Sequence, residues 1–238
     1  MSLETIDFKI LGLQPGDRVL DLGCGEGRHA ISAYLQFEID VVGLDLNRTD
    51  LQTARQRLQA FERPPQAQSS CHFINGSGLT LPFPDNSFDK VICAEVLEHV
   101  PDYQGVVREI HRVLKPQGLF AASVPRYFPE WVCWQLSDAY HEVEGGHIRI
   151  FRSAQLRRTI EAMPMRFIRR HWAHSLHVPY WWLRCMFWSN ADNNSLVKAY
   201  HRLLVWDLMK KPRITRLLDR LLNPLMGKSV VLYFENQA

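Results

Sequence analysis

No stretch of 18 apolar residues occurs in the chain, so no segment reads as a membrane-spanning helix. Cysteine is scarce. Cys24, Cys71, Cys93, Cys133 and Cys185 are an odd set of five, and none stands in a C-x-x-C pair. That pattern argues against a disulfide scaffold or a paired-cysteine zinc site and fits a reduced, intracellular chain. Neither sign of charge is in large excess. A net charge of +3 is too small to mark a nucleic-acid-binding protein, and no nucleic-acid partner is expected. The opening MSLETIDFKI lacks the basic start and long apolar core of a signal peptide. Repeats and low-complexity tracts are absent, and PPQAQSS (64–70) reads as an ordinary polar loop. The remaining class is cytoplasmic and globular.

The chain has 238 residues and is 46% hydrophobic, enough for a sizeable core. Strand and helix signals alternate through its first half. DRVLDLG (17–23), IDVVGLDL (39–46), CHFING (71–76), SFDKVICAEV (87–96) and LFAASVP (119–125) read as five strands. GRHAISAYLQ (27–36) reads as a helix. Leu51, Ala54, Leu58 and Phe61 mark a second, with Thr49 and Asp50 available as caps. Val106, Val107, Ile110, Val113 and Leu114 form a third helical stripe, closed by Pro116 and Gly118. This alternation predicts a doubly wound α/β sheet. MRFIRRHWA (165–173) and KSVVLYFEN (228–236) supply a sixth and a seventh strand. The helical stretch 174–227 between them reads as an insertion into the last hairpin, within one domain spanning 1–238.

VLDLGCGEGRHA (19–30) holds Gly23, Gly25 and Gly27 in the spacing G-x-G-x-G, with Arg28 next. A nicotinamide fingerprint needs G-x-G-x-x-G, so Arg28 stands where its third glycine should be. Asp21 precedes the loop, and a carboxylate there suits a cationic amine better than a pyrophosphate. Asp45 closes the second strand, where a carboxylate can accept both hydroxyls of a ribose. The loop therefore suits a nucleoside with a positively charged tail, such as S-adenosylmethionine.

VLDLGCGEGRHA, VVGLDLN, LPFPDNSFDKVICAEVLEHVPD and REIHRVLKPQGLF together resemble the class I S-adenosylmethionine-dependent methyltransferases, over about residues 15–125. The nearest subset is the ubiquinone and menaquinone biosynthesis type. The resemblance implies a Rossmann-like sheet of seven strands, mostly parallel, with an antiparallel last strand. It places Gly23, Cys24, Gly25 and Gly27 around the methionine part of the cofactor and Asp21 near its amino group. Asp45 would hold the ribose, and Leu46 and Leu79 would pack on the adenine. Ala94 and Glu95 would face the methionine side. The family carries an acid after strand three; here the triplet is Gly76-Ser77-Gly78. Replacing a charged acceptor by the Ser77 hydroxyl costs about 1 kcal/mol of binding. Cys24 reads as a small packed residue, not a nucleophile. His29 reads as shaping the cofactor pocket.

Methyl transfer from a sulfonium releases a neutral thioether and needs no general acid. A base is needed only where the acceptor holds its proton. Glu95, Glu98 and His99 stand at the carboxyl end of strand four, where open α/β sheets bind ligands, and His99 is the candidate base. Glu95-x-x-Glu98-His99, with His147 beyond, also has the spacing of a divalent-metal site in some relatives. The same string recurs in metal-free relatives, so no metal ligand is assigned from sequence.

In the family, additions to the sheet select the acceptor. Here these are residues 126–164 and 174–227. The second holds Trp181, Trp182, Phe187, Trp188 and Trp206 and is rich in Lys and Arg. It reads either as a helical cap with an aromatic core, or as a peripheral contact with the inner face of a membrane. The expected activity is methyl transfer to a small or lipid-like acceptor, aromatic or quinone-related. A non-catalytic cofactor-binding protein and a methyltransferase of another natural-product intermediate are the alternatives.

Overall fold

The computed structural model describes residues 4–61, 69–143, 145–210 and 212–238. Most of the polar loop expected at 64–70, and Lys211, lie outside the described residues. Seven strands form one sheet: β1 (Arg18–Leu22), β2 (Asp40–Asp45), β3 (Cys71–Asn75), β4 (Phe88–Ala94), β5 (Leu114–Pro125), β6 (Met165–Ala173) and β7 (Ser229–Asn236). Their order is β3-β2-β1-β4-β5-β7-β6. The first five run parallel, and β7 lies antiparallel between β5 and β6. The helices are α1 (Phe8–Leu11), α2 (Arg28–Gln36), α3 (Arg48–Gln59), α4 (Tyr103–Val113), α5 (Tyr127–Leu136), α6 (Ala139–Glu142), α7 (Ser153–Glu161), α8 (Val178–Met186), α9 (Ser195–Lys210) and α10 (Arg213–Met226). All seven expected strands form, and α8 to α10 fill the expected insertion.

Strand alternation builds a core on each face of the sheet. Leu20 and Leu22 pack with Val106, Val107 and Ile110 of α4. Val19 packs on the other face with Ala30, Ala33, Leu51 and Ala54 of α2 and α3. Asp21 shares the parity of Val19, which turns its carboxylate toward the start of α2.

Two local expectations are corrected. The cap of α3 is neither Thr49 nor Asp50 but Asn47, whose Oδ1 accepts the amide hydrogens of both. Asn47 has the extended backbone that an N-cap needs, directly after β2 ends. Pro116 and Gly118 do not close α4. The helix stops at Val113, and β5 starts at once with Leu114. The 115–118 stretch lies within β5, where the register against β4 shifts and Gln117 adopts a φ of 62°. A bulge absorbs the residues that sequence alone assigns to a helix stop.

The tryptophan-rich part of the insertion is core. Trp181, Trp182 and Trp188 pack around Cys133, Tyr140 and Cys185, and the Trp182 indole donates to the Pro129 carbonyl at 3.1 Å. These three rings are half-buried against that cluster, which favours the helical-cap reading for this part of the insertion. Trp206, on α9, is 45% exposed.

Candidate active site

The loop after β1 is shaped by its glycines. Gly23 has a φ of 70°, and a Cβ there would lie 2.2 Å from Val96 Cγ2. Gly27 has a φ of 83°, and a Cβ would lie 2.9 Å from the Phe73 ring. Larger residues fit neither place. The Gly23 and Cys24 amides both donate to the Leu44 carbonyl, stitching the loop to β2. Residues 23–28 line an open cleft of roughly 1150 Å³, with Ile31, Leu35, Asp50, Phe61 and Leu208 among its walls. Asp45, Ser77, Leu79 and Glu95 do not line this cleft.

They stand instead along the carboxyl ends of neighbouring strands. Ser77 and Gly78 follow β3, Asp45 ends β2, Gly23 follows β1, and Ala94 and Glu95 end β4. Adjacent strands lie about 4.8 Å apart, so this row spans about 14 Å. That is long enough for a nucleoside with an amino-acid tail. Asp45 spends one lone pair of each oxygen internally. Oδ2 accepts from Gly25 N at 2.7 Å, and Oδ1 from Asn47 N at 2.8 Å. A carboxylate has further acceptor sites, so both oxygens can still receive hydroxyls. The Ser77 hydroxyl oxygen accepts the Leu79 amide hydrogen at 3.2 Å. Leu46 and Leu79 are 70% and 44% exposed, the apolar surfaces expected to meet a base.

Asp21 is sealed beneath the loop. It is 1% exposed and accepts the Ala30 amide hydrogen at 2.9 Å. Burial pushes its carboxyl up to about 7, against the opposing pull of that hydrogen bond and of Arg28. It titrates near neutrality, and a cation nearby would draw it back to the charged form. Cys24 is buried and its thiol is raised by burial and by Asp21, as befits a packed residue. His29 does not itself line the cleft of the glycine loop. It is buried, and its Nε2 accepts the Thr5 amide hydrogen at 3.1 Å, anchoring the chain before α1. Burial lowers it to about 3, so it stays neutral.

Beyond β4 the chain turns at Glu95, which has a φ of 58°. Glu95 Oε1 accepts the Ser123 hydroxyl at 2.5 Å. The turn 97–101 is zipped to residues 146–149. Ile148 N donates to the Glu98 carbonyl at 3.1 Å, and Arg149 donates to the carbonyls of Leu97, Val100 and Pro101. This pairing brings His147 against His99, with ring centroids 4.9 Å apart. His99 Nδ1 donates to the Gly146 carbonyl at 3.2 Å. His147 Nδ1 donates to Glu130 Oε1, and the same Glu130 carboxylate also takes the Tyr140 hydroxyl and the Trp134 indole. Each ring therefore keeps Nε2 as its free acceptor when neutral. Burial, then the neighbouring His147, lowers His99 below its ordinary range. Glu98 is wholly buried, and neither carboxylate oxygen has a hydrogen-bond partner among the described residues. Burial and Glu95 raise it well above the usual carboxylate range.

A family model described as a methyltransferase domain matches residues 20–122, the stretch that carries the loop, the row of strand ends and the turn after β4. Residues 20–122 thus match a methyltransferase domain, as the resemblance to the class I S-adenosylmethionine-dependent methyltransferases implies. Over 139 residues it is 37% identical to a sterol 24-C-methyltransferase of Pneumocystis carinii, covering 58% of this chain and 33% of that protein. The chain thus spans about a third of that relative's length. In fold it is similar to the YcgJ protein of Bacillus subtilis, with a TM-score of 0.63, 19% identity, and 97% and 96% of the two chains covered. It is also similar to a phosphoethanolamine N-methyltransferase of Haemonchus contortus solved with S-adenosylmethionine. There the TM-score is 0.58, the identity 18%, and the coverage 97% of this chain and 51% of that one.

Glu98, His99 and His147 each offer one ligand atom, all within 4.8 Å of one another. Three acceptors facing one space repel unless a proton or a cation lies among them. Two imidazoles and a carboxylate suit a divalent cation such as Zn²⁺ or Mn²⁺, and Glu130 orients His147 as an outer carboxylate orients a metal-binding imidazole. The residues present fit such an ion. Glu95 does not join the trio, contrary to the spacing argument. Glu130, Arg149 and Leu208 belong to the site's surroundings and carry no motif of their own. Only the position of His147 signalled that the 146–149 segment returns to it.

Proposed function

We propose that the chain transfers the methyl group of S-adenosylmethionine to a lipid-like acceptor. The observation that carries the cofactor half is the row Ser77–Asp45–Gly23–Glu95 along four adjacent strand ends, opposite a loop that all but excludes side chains. Asp45 takes the ribose hydroxyls, and Leu46 and Leu79 sandwich the adenine beside Ser77 and Gly78. Gly23, Cys24, Gly25 and Gly27 line the methionine part. Asp21 balances its ammonium from below, and Ala94 and Glu95 close the far side. In-line displacement then depends on alignment. An aromatic or quinone-related head bearing a hydroxyl would lose its proton to His99, whose neutral Nε2 is free to accept it. The likeness to a sterol methyltransferase supports a lipid-like acceptor, and residues 126–164 and 174–227 would enclose it. Calorimetric titration with S-adenosylmethionine, its demethylated product and NAD tests the reading. Micromolar binding of the first two and none of NAD is expected. No binding of either sulfur nucleoside would end it. Binding without turnover on any lipid-like acceptor would favour a non-catalytic cofactor-binding protein.

A second reading rests on the orphaned Glu98 carboxylate. Glu98, His99 and His147 would hold a divalent cation, which when bound acts as a Lewis acid that orients an acceptor oxygen. Protein purified without chelator is expected to carry close to one equivalent of metal, lost in Glu98→Gln. Metal-free protein whose activity is indifferent to EDTA would leave His99 as a plain base.

A further inference from the structure

Helix α10 packs inside out. An amphipathic helix ordinarily buries its apolar stripe and wets its polar face. Here Thr215 is buried, Asp219 accepts from the Ser175 hydroxyl at 2.7 Å and from the Leu176 amide, and Asn223 accepts from Ser175 N at 2.9 Å. The polar side holds the helix to the turn after β6. The apolar stripe Ile214, Leu217, Leu218, Leu221 and Leu225 points away, with exposures from 45% to 74%. A stripe of this kind on a packed helix needs a partner surface.

Charge says which partner. Arg213, Arg216 and Arg220 are exposed along one flank of the stripe, and none has an ion-pair partner among the described residues. The acids of α9 and α10 are turned inward: Asp207 is 1% exposed, and Asp219 is hydrogen-bonded as above. A second copy of this face would set basic rows against each other, with the acids of both helices turned inward. Anionic lipid headgroups meet both features at once, the stripe entering the acyl boundary and the arginines staying among phosphates. Helix α9, which directly precedes α10 in the chain, also exposes Trp206 and Met209, at 45% and 73%, together with Arg202 and Lys210. Leu208, between Trp206 and Lys210, lines the cleft of the glycine loop.

We propose that the outward face of α10, with the exposed residues of α9, docks on an anionic membrane surface, so that the acceptor passes from the lipid to the cleft beside it. The second clause rests on the lipid-like acceptor proposed above. The test is flotation of the full chain with vesicles of phosphatidylcholine alone and of phosphatidylcholine mixed with phosphatidylglycerol. Recovery with the mixed vesicles should exceed that with the neutral ones by at least about tenfold and fall as salt rises. Leu217→Glu with Leu221→Glu should reduce it to background. Both side chains are solvent-exposed, so the melting temperature and the affinity for S-adenosylmethionine should stay as in the parent. Arg213→Glu with Arg220→Glu should abolish the preference for anionic vesicles. Equally low recovery on both vesicles, or a leucine variant that floats like the parent, overturns the proposal. So does a lipid-free dimer that Leu221→Glu splits, which would make the face a self-interface. Flotation needs neither cofactor nor turnover. A negative cofactor titration would therefore sink the methyl-transfer reading and leave the flotation result standing.

Discussion

Asp21 works against the stability of its own fold. Its folded pKa, about 7, lies above the ordinary 3.8. For an acid raised in this way, the folded state holds the proton more tightly than the unfolded chain. Stability is intact below about pH 4 and declines as pH rises through 7, by on the order of 4 kcal/mol once the carboxyl is ionised. Asp21→Asn keeps an acceptor for the Ala30 amide and removes the charge. It should melt several degrees higher than the parent at pH 8, with the gap closing toward pH 4, and should bind S-adenosylmethionine more weakly. Melting curves across that range, paired with calorimetry, measure both. The glycines and Asp45 could be identified from their spacing and position because backbone sterics and strand ends are local properties. The place of Asp21 on the first strand was read as well, but its burial was not, since a strand residue's facing depends on which helix packs over it. Glu130 and the orphaned state of Glu98 were invisible for the same reason. Glu130 finds its partners 4, 10 and 17 residues further along the chain, and Glu98 sits in a turn that pairs with residues 146–149.

At the scale of elements, strands were easier to read than their junctions. The seven apolar runs announce themselves by composition, whereas Asn47 displaced Thr49 as a cap and a bulge took over Pro116 and Gly118. In each case one residue's φ and ψ decide the boundary, and several residues nearby are chemically able to do so. The 97–101 turn shows how a site is held without a motif. Arg149 caps three of its carbonyls. Arg149→Ala should cost about 2 kcal/mol in denaturant titrations. It should also let His99 swing toward water, so that its ring titrates closer to 6.5 by NMR. An unchanged His99 titration would show that Gly146 alone positions the ring.

Taken whole, the molecule has a deeply buried sheet and a pair of outlying helices with exposed faces. β1, β4, β5 and β7 are almost wholly buried, while α9 and α10 present mostly exposed side chains. Hydrogen exchange should be slowest in those strands and fastest, among the longer helices, in α9 and α10. Protection there should appear only when anionic vesicles are added. Residues 174–228 separate two strands that pair directly, β6 and β7. A connection of 55 residues in place of a tight turn adds only about 2 kcal/mol of loop-closure entropy. Such a hairpin can lengthen, shorten or exchange its contents with little thermodynamic resistance from the sheet. Selection for new acceptors can therefore act on this one connection while the carboxyl ends of the parallel strands stay unchanged.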